Sequence, residues 1–195
     1  MLKLGPMLIA TAFLTIGAEA WAHDPPLFAA FKAFCIDTGA NPDAMKSAVE
    51  AAGGKQHGAG ATEHPFKMTV TTWDVTAGGA SLNVSAGTQQ ASPVQNRAEE
   101  NSNQCVVTSF VNDDASIEAL HNWVGIPPGH VLRGNPTISI FDYQEQGSVR
   151  STLPTSKSAY DTAKVEGLLW SLVVLQSQDG ASVQLVHHLA SPIPR

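Results

Sequence analysis

Charged residues are scarce in this sequence, and basic residues are the scarcer kind. Asp, Glu, Lys and Arg make up 14% of the chain, and 11 basic residues face 17 acidic ones, which gives a formal net charge of −6. Nucleic acids and anionic membranes both attract a cationic surface. We therefore expect no nucleic-acid partner and no binding to an anionic membrane.

An apolar run long enough to cross a membrane is also missing, since a spanning helix needs about 20 residues. The short apolar stretch at residues 7–17 follows Lys3 and leads into small residues that fit the A-x-A cleavage pattern. This pattern predicts a signal peptide at residues 1–22, cut after Ala22, and a product in the periplasm or outside the cell. No permanent membrane anchor is expected.

Cleavage exposes a histidine at or near the new N-terminus. A cut after Ala22 starts the chain at His23, whose α-amine and ring nitrogen together suit Cu(II). A cut after Ala20, where the A-x-A pattern also fits, leaves His23 third from a free amine, an arrangement that holds Cu(II) or Ni(II) in a square plane. His23 is therefore the one candidate metal ligand, and no cofactor other than copper is expected.

Cysteine is rare as well, with only Cys35 and Cys105 in the chain. An even number of cysteines in an exported chain predicts a disulfide bond, because that compartment is oxidising. Such a bond would add roughly 4 kcal/mol of stability in the chain-entropy model. The alternative is a metal-thiolate or redox pair, and the absence of C-x-x-C spacing argues against it.

Recognisable catalytic motifs are absent. Tyr160 and Lys164 have the spacing of the catalytic pair of short-chain dehydrogenases, but the glycine fingerprint of a dinucleotide site is missing, so this segment is interpreted as a linker. No G-x-S-x-G sequence marks a nucleophilic serine. Among the seven histidines, no pair has the i, i+4 spacing of a helical zinc site, and His187 and His188 point to opposite faces of a strand. No catalytic residue is predicted.

Helices are predicted where a capping residue precedes an apolar stripe. The first helix begins after Asp24, the second after Asn41, and the third after Asp113. Residues 53–60 are rich in glycine and are interpreted as a flexible connector. Residues 88–104 are polar without periodicity and are interpreted as the longest exposed loop.

Strand-forming segments alternate with turn signals along the rest of the chain, and Gly78-Gly79 and Asp179-Gly180 predict hairpin turns. The predicted strands are residues 67–75, 81–85, 105–111, 137–143, 148–153, 168–176 and 181–189. The predicted fold class is α+β, with residues 23–195 forming one domain. In it, an antiparallel sheet built from hairpins carries about three short helices packed on one face.

The terminal hairpin can be given a register. A two-residue turn at Asp179-Gly180 places Leu172 opposite His187. The strand face that carries Trp170 is the more apolar one and is predicted to face the core. His187 lies on that face and is expected to be buried, whereas His188 is expected to point outward.

The order of these features resembles that of a group of small exported proteins of Gram-negative bacteria with no assigned activity. The resemblance rests on the first helical region, "FKAFCIDTGANPDAMKSAVEAAG", a strand that opens on cysteine, a short helix that closes on "WVGIPPG", and a terminal tryptophan strand. It covers most of residues 23–195. It implies the fold class and the compartment, and it implies nothing about activity.

The sequence therefore favours a non-catalytic exported protein that binds an unidentified protein or a small ligand. Trp73, Trp123 and Trp170 are candidates for an apolar recognition surface. The alternatives are copper handling through His23 and an enzyme whose site residues are distant in sequence. A concave pocket that gathers histidine with Asp or Glu would favour the enzyme.

Overall fold

A computed structural model describes residues 24–62, 67–90 and 101–189, so the expected signal peptide and His23 lie outside the described residues. The described helices are α1 (Pro26–Phe31), which continues as a π-helical turn (Lys32–Ile36), α2 (Pro42–Ala51), α3 (Asp114–Val124) and α4 (Lys157–Val165). The described strands are β1 (Lys55–Thr62), β2 (Lys67–Ala77), β3 (Ala80–Gln90), β4 (Ser102–Ser109), β5 (His130–Leu132), β6 (Thr137–Gln146), β7 (Val149–Thr152), β8 (Leu169–Ser177) and β9 (Gly180–His188). Within these ranges, no helix combines the length and the hydrophobicity needed to cross a membrane.

All nine described strands belong to one antiparallel sheet. Its order is β1-β2-β3-β4-β9-β8-β6-β5, and β7 pairs with β6 off this path. The hairpin β2–β3 forms where Gly78-Gly79 predicted it, with Ala77 paired to Ala80, and β6–β7 forms a second hairpin in which Gln146 pairs with Val149. The last strand, β9, returns to lie beside β4 and joins two groups of strands. The prediction of a mixed fold dominated by an antiparallel sheet is confirmed.

The register predicted for the terminal hairpin is wrong. Its turn residues are Gln178-Asp179, and Trp170 pairs with His187, whereas the sequence places Leu172 opposite His187. The pairing moves by two residues, and side chains alternate with a period of two. Each side chain therefore keeps the face that was predicted for it.

The register was wrong because Gly180 was interpreted as a turn residue, and its role in the structure is different. The residue has no positive φ, so it does not supply the conformation for which glycine is favoured in tight turns. A Cβ at Gly180 would instead collide with the carbonyl oxygen of Ser109 on β4. The turn is closed by Ser177, whose Oγ accepts from the backbone N–H of Asp179 at 3.3 Å. Gly180 therefore allows β9 to approach β4 closely.

The prediction of a flexible connector at residues 53–60 is wrong, because most of this segment belongs to β1. The strand pairs with β2 along its length, with a register shift between Gln56 and Gly58. Its side chains are mostly exposed, so no alternation of apolar and polar residues marks it in the sequence. An edge strand of this kind is held by backbone hydrogen bonds to its neighbour.

The expected loop at residues 88–104 is also shorter than predicted. β3 extends into it and β4 begins inside it, while residues 91–100 lie outside the described part of the chain. Polar side chains form a ladder across three strands, in which Gln184 donates to Gln104 at 3.1 Å and Gln104 donates to Gln89 at 2.8 Å. Hydrogen-bonded amides thus occupy positions where apolar residues would have revealed the strands.

A fourth helix, α4, replaces the linker that was expected around Tyr160. Ser156 caps it, since its Oγ accepts from the backbone N–H of Ala159 at 3.3 Å. Only Ala163 is buried on this helix. α4 has an apolar face as distinct as that of α2, but few of its residues are apolar, so the segment was interpreted as a linker and the expectation of about three helices missed it.

The N-terminus of α1 is capped from α3. The sequence predicts Asp24 as the cap, but the N-cap residue is a proline and makes no side-chain hydrogen bond. Instead, Asp113 accepts from the backbone N–H of Leu27 at 3.4 Å, and Ser116 accepts from that of Phe28 at 3.0 Å. The side chains predicted to cap α2 and α3 do so. The start of α3 therefore stabilises two helix ends at once.

Much of the core lies between the first two helices and strands β2, β3 and β4; α1 contacts all three strands, and α2 contacts β3 and β4. Trp73 is 1% exposed within it. A disulfide bond joins Cys35 in the π-helical turn to Cys105 on β4 and closes a loop with a sequence separation of 70. The predicted pairing is confirmed, and both cysteines are buried.

Candidate functional site

A cleft of about 290 Å³ lies among the end of the π-helical turn, the end of α3 and strands β6, β8 and β9. Its volume is near the lower limit for small-molecule sites, which begin at about 300 Å³. We call it the tryptophan cleft. The residues that line it are Ile36, Gly39, Trp123, Tyr143, Glu145, Gly147, Gly167, Trp170, Leu185 and His187.

Arg150 holds the Trp123 side of the cleft in place. Its guanidinium carbon lies 3.8 Å from the centroid of the Trp123 ring. One guanidinium nitrogen donates to the backbone carbonyl of Trp123 at 3.0 Å, and another donates to the carboxylate of Glu145 at 3.4 Å. The β6–β7 hairpin brings Arg150 and Glu145 opposite each other. Arg150 therefore covers one part of the indole and neutralises the acidic residue of the cleft.

Trp170 and His187 form the opposite side. They are paired on adjacent strands, and their rings stack 3.9 Å apart with an interplanar angle of 3°. His187 Nε2 lies 2.8 Å from the carbonyl oxygen of Gly167. A carbonyl only accepts, so Nε2 carries the proton, and Nδ1 of the neutral ring is an acceptor. His187 is half-buried, because the cleft leaves its side of the sheet partly uncovered.

Tyr143 lies between these two sides and is fully buried. The Arg150 guanidinium lies close enough to donate to the phenol oxygen, and Glu145 is a second charged neighbour, but burial dominates and raises the pKa of Tyr143 above its ordinary value. A guanidinium only donates, so the O–H of Tyr143 has no acceptor among the described residues. A buried donor without an acceptor costs about 1–3 kcal/mol. The cleft therefore contains a hydroxyl group with an unused hydrogen-bond donor.

The chemical groups in the cleft suit binding better than reaction. No serine, threonine or cysteine is among the described residues that line it. The cleft does gather a histidine with a carboxylate, but Glu145 is paired with Arg150, and Nε2 of His187 is committed to a backbone carbonyl. Two partly exposed indoles with a few fixed polar groups form the usual lining of a ligand site.

A second polar group lies on the sheet face opposite the core. Ser171 Oγ donates to Asp142 Oδ1 at 2.5 Å and lies 3.0 Å from His188 Nε2. The residue types are those of a catalytic triad, but here the serine lies between the histidine and the aspartate. A proton relay needs the histidine in the middle, so that it can take the serine proton while the carboxylate holds its other nitrogen. The order of these three side chains, with the serine in the middle, therefore does not suit nucleophilic catalysis.

Two of the three tryptophans expected at a recognition surface line the cleft. Trp123 and Trp170 do so, whereas Trp73 is buried in the core and cannot contribute. The prediction that His187 and His188 point to opposite faces agrees with their contacts to Trp170 and Ser171.

The other histidines in the described part of the chain do not converge on one site. His57 is exposed, with Nδ1 2.9 Å from an Asp74 oxygen, and His121 packs edge-on against Phe141. No group of three or more metal-ligating side chains forms within the described ranges. His23 lies outside them, so its copper binding stays a prediction.

Tyr143, Glu145 and Arg150 are the cleft residues that sequence reasoning missed. No motif connects them, and each belongs to an ordinary strand pattern. The only available signal was the β6–β7 hairpin, which places Glu145 opposite Arg150 on paired strands. Their meeting with Trp123 depends on how α3 packs, and no local pattern encodes that.

Comparison with known proteins gives no family assignment for this chain. No protein-family model, no curated protein and no solved structure matches it. The resemblance to small exported proteins of Gram-negative bacteria therefore stays a prediction, and the site is argued from its geometry alone.

Proposed function

We propose that the protein is an exported binding protein without catalytic activity, and that the tryptophan cleft holds its ligand. The observation that carries this proposal is the O–H of Tyr143, which is buried beside a cleft between two partly exposed indoles and has no acceptor among the described residues. Natural structures leave few buried polar groups without a partner. A ligand that supplied the missing acceptor would recover the free energy that this group costs.

The shape of the site supports a small ligand. A volume of about 290 Å³ accommodates a single ring or a short chain better than a folded partner. Its walls are pre-formed, since Arg150 fixes Trp123 and His187 stacks on Trp170. A pre-formed site loses little side-chain entropy on binding, which favours affinity for a small molecule.

The proposal of export rests on the leader pattern at residues 1–22 and is supported by the Cys35–Cys105 disulfide bond, because disulfides persist in oxidising compartments. Expression of the whole chain in a Gram-negative host, followed by intact-mass measurement, tests it. The expected mass is that of residues 23–195 with one disulfide. A product that retains residues 1–22 would overturn the proposal.

Binding at the cleft is tested with a library of small-molecule fragments, followed by ¹H–¹⁵N correlation spectra of the indole N–H groups. Fragments that bind should shift the Trp123 and Trp170 signals and leave Trp73 unchanged, since Trp73 is buried elsewhere. Trp170→Ala should abolish these effects. Leu132→Ala, an exposed apolar residue outside the cleft, is the matched control and should retain them. A library that shifts neither cleft tryptophan contradicts the proposal.

A further inference from the structure

We infer that the ligand of the tryptophan cleft is a neutral saccharide ring, with its hydroxyl groups bound by the polar residues of the cleft. This inference rests on the proposed binding function and goes further by assigning the chemical class of the ligand. It follows from three features of the cleft: the kind of hydrogen bonds it offers, its charge, and the arrangement of its indoles.

The polar side chains of the cleft are mainly acceptors. Glu145 presents a carboxylate, and His187 presents Nδ1 as an acceptor, because Nε2–H is held by the carbonyl of Gly167. The O–H of Tyr143 is a donor that has no acceptor among the described residues. A ligand that matches this set must bring several donors. Sugar hydroxyls do so, and each can also accept the hydrogen bond that Tyr143 has to give.

The charges around the cleft disfavour an ionic ligand. Glu145 is already neutralised by Arg150, whose guanidinium also lies over the Trp123 ring. A cationic ligand would be brought against Arg150, and the Trp123 surface that would attract it already carries a cation. An anionic ligand would meet Glu145. A ligand without formal charge avoids both penalties.

The indoles complete the match. Trp123 and Trp170 both line the cleft and are partly buried side chains packed against the core. Arg150 lies over the Trp123 ring and His187 stacks on one face of Trp170, so a ligand contacts the indole surface that these two side chains leave uncovered. Aromatic faces carry negative partial charge and attract the weakly positive C–H groups of an apolar surface. A pyranose ring combines such a C–H face with a rim of hydroxyl groups. An apolar ligand would leave the three polar groups unpaired, which a buried site penalises.

The test is a titration of the folded protein, with its disulfide intact, followed through the indole N–H signals. The saccharide probes are methyl α-glucoside, N-acetylglucosamine, maltotriose and chitotriose. Choline represents a cation, benzoate an anion and benzyl alcohol an apolar ring. Each probe is taken to about 10 mM, which detects dissociation constants in the millimolar range.

A saccharide is expected to shift the Trp123 and Trp170 signals saturably without moving Trp73. Tyr143→Phe should weaken that binding about tenfold, the loss of one hydrogen bond, while leaving the spectrum of the free protein folded. Leu132→Ala should leave the affinity unchanged. A trisaccharide that binds more tightly than its monosaccharide indicates a glycan chain as the source, and equal affinities indicate a free sugar.

Saturable binding of choline, benzoate or benzyl alcohol at these two tryptophans, with none by the saccharides, would overturn the saccharide assignment and leave the proposed binding function standing. If no probe of any class moves either signal, the saccharide assignment falls. The fragment library then decides whether the binding function falls with it. Saccharide binding that is equal in wild type and in Trp170→Ala would place the sugar outside the cleft and also overturn the inference.

Discussion

The two ends of the sheet treat their aromatic residues in opposite ways. At the helix-covered end, formed by β2, β3 and β4 under the first two helices, Trp73 is 1% exposed. At the cleft end, formed by β6, β8 and β9, Trp170 remains partly exposed and stacks on His187. Both tryptophans lie on central strands of the same sheet. The difference comes from what packs above them.

This contrast separates stability from binding. The helix-covered end contains the disulfide bond and Trp73, the largest fully buried side chain of the described residues, and burial of such side chains is the main favourable term in folding. Each end contains a buried donor without an acceptor, Trp73 Nε1–H at the covered end and the Tyr143 O–H at the cleft end, but only Tyr143 lines the cleft. The Tyr143 O–H therefore lowers stability until a ligand accepts from it. Binding sites are commonly less than optimal for stability in this way.

The largest effect is expected at the covered end, on removal of the disulfide bond. Cys35→Ala combined with Cys105→Ala should lower the free energy of unfolding by about 4 kcal/mol, because the unfolded chain regains the freedom of the closed loop. Urea denaturation measures the change. Wild-type protein unfolded under reducing conditions is the control and should match the double variant. Equal stability of the oxidised and reduced proteins would contradict the expectation.

A pair of matched substitutions tests the difference between the helix-covered end and the cleft end of the sheet. Trp73→Ala should lower the free energy of unfolding by about 3–5 kcal/mol, since it leaves a cavity in a filled core. Trp170→Ala should lower it by only about 1–2 kcal/mol, because its side chain already contacts solvent. Thermal or urea denaturation of both variants provides the measurement. If the two losses are equal, the cleft end is as closed as the covered end.

The buried phenol of Tyr143 at the cleft end should make the stability of the protein fall at alkaline pH. Burial raises the pKa of Tyr143 in the folded protein, while the unfolded phenol ionises near its ordinary value of about 10. Above that pH the unfolded state binds fewer protons than the folded state, so stability falls by about 1.4 kcal/mol per pH unit. Tyr143→Phe lacks this contribution. The difference between the two stability curves should therefore grow above pH of about 10 and stay constant below it.

At neutral pH, Tyr143→Phe should stabilise the free protein by about 1 kcal/mol, because it removes a buried O–H that has no acceptor among the described residues. The same change should weaken ligand binding. Opposite signs for stability and affinity are the expected signature of a group kept for its ligand. Denaturation of the free protein gives the stability. A loss of stability instead would show that the hydroxyl is satisfied in the folded protein.

The smallest effect is expected for His187→Leu. The residue is half-buried and packs on Trp170, and leucine keeps an apolar contact there while the Gly167 carbonyl loses one hydrogen bond. We expect a change in the free energy of unfolding within about 1 kcal/mol. Thermal denaturation measures it. A loss as large as that of Trp73→Ala would show that His187 belongs to the core and not to the cleft.

Sequence reasoning succeeded where a residue type has one physical use. Asn41 and Asp113 cap helices because their side chains accept from free N–H groups, and the only two cysteines pair. It failed where one residue type serves several uses. Gly180 was taken as a turn residue, although it is required for the close approach of β4. The segment that forms β1 was taken as flexible because its glycines also suit a strand that only backbone bonds hold.

The candidate site shows the same division. Trp123 and Trp170 were recognised as candidates because large aromatic residues are recognisable wherever they occur, but the sequence did not distinguish them from Trp73. Their separation depends on which strands the helices cover. Tyr143, Glu145 and Arg150 belong to no sequence motif, and each acquires its role in the cleft from neighbours on another element.

The sequence by itself determined the caps of α2 and α3, most strand segments, the disulfide pairing and the faces of the terminal hairpin. These features follow from local chemistry, from alternation along a strand, or from the presence of a single possible partner. The tertiary structure alone decided the register of that hairpin, the edge strand β1 and the cleft. Those features depend on contacts between residues far apart in the chain, and such contacts form only when separate elements pack together.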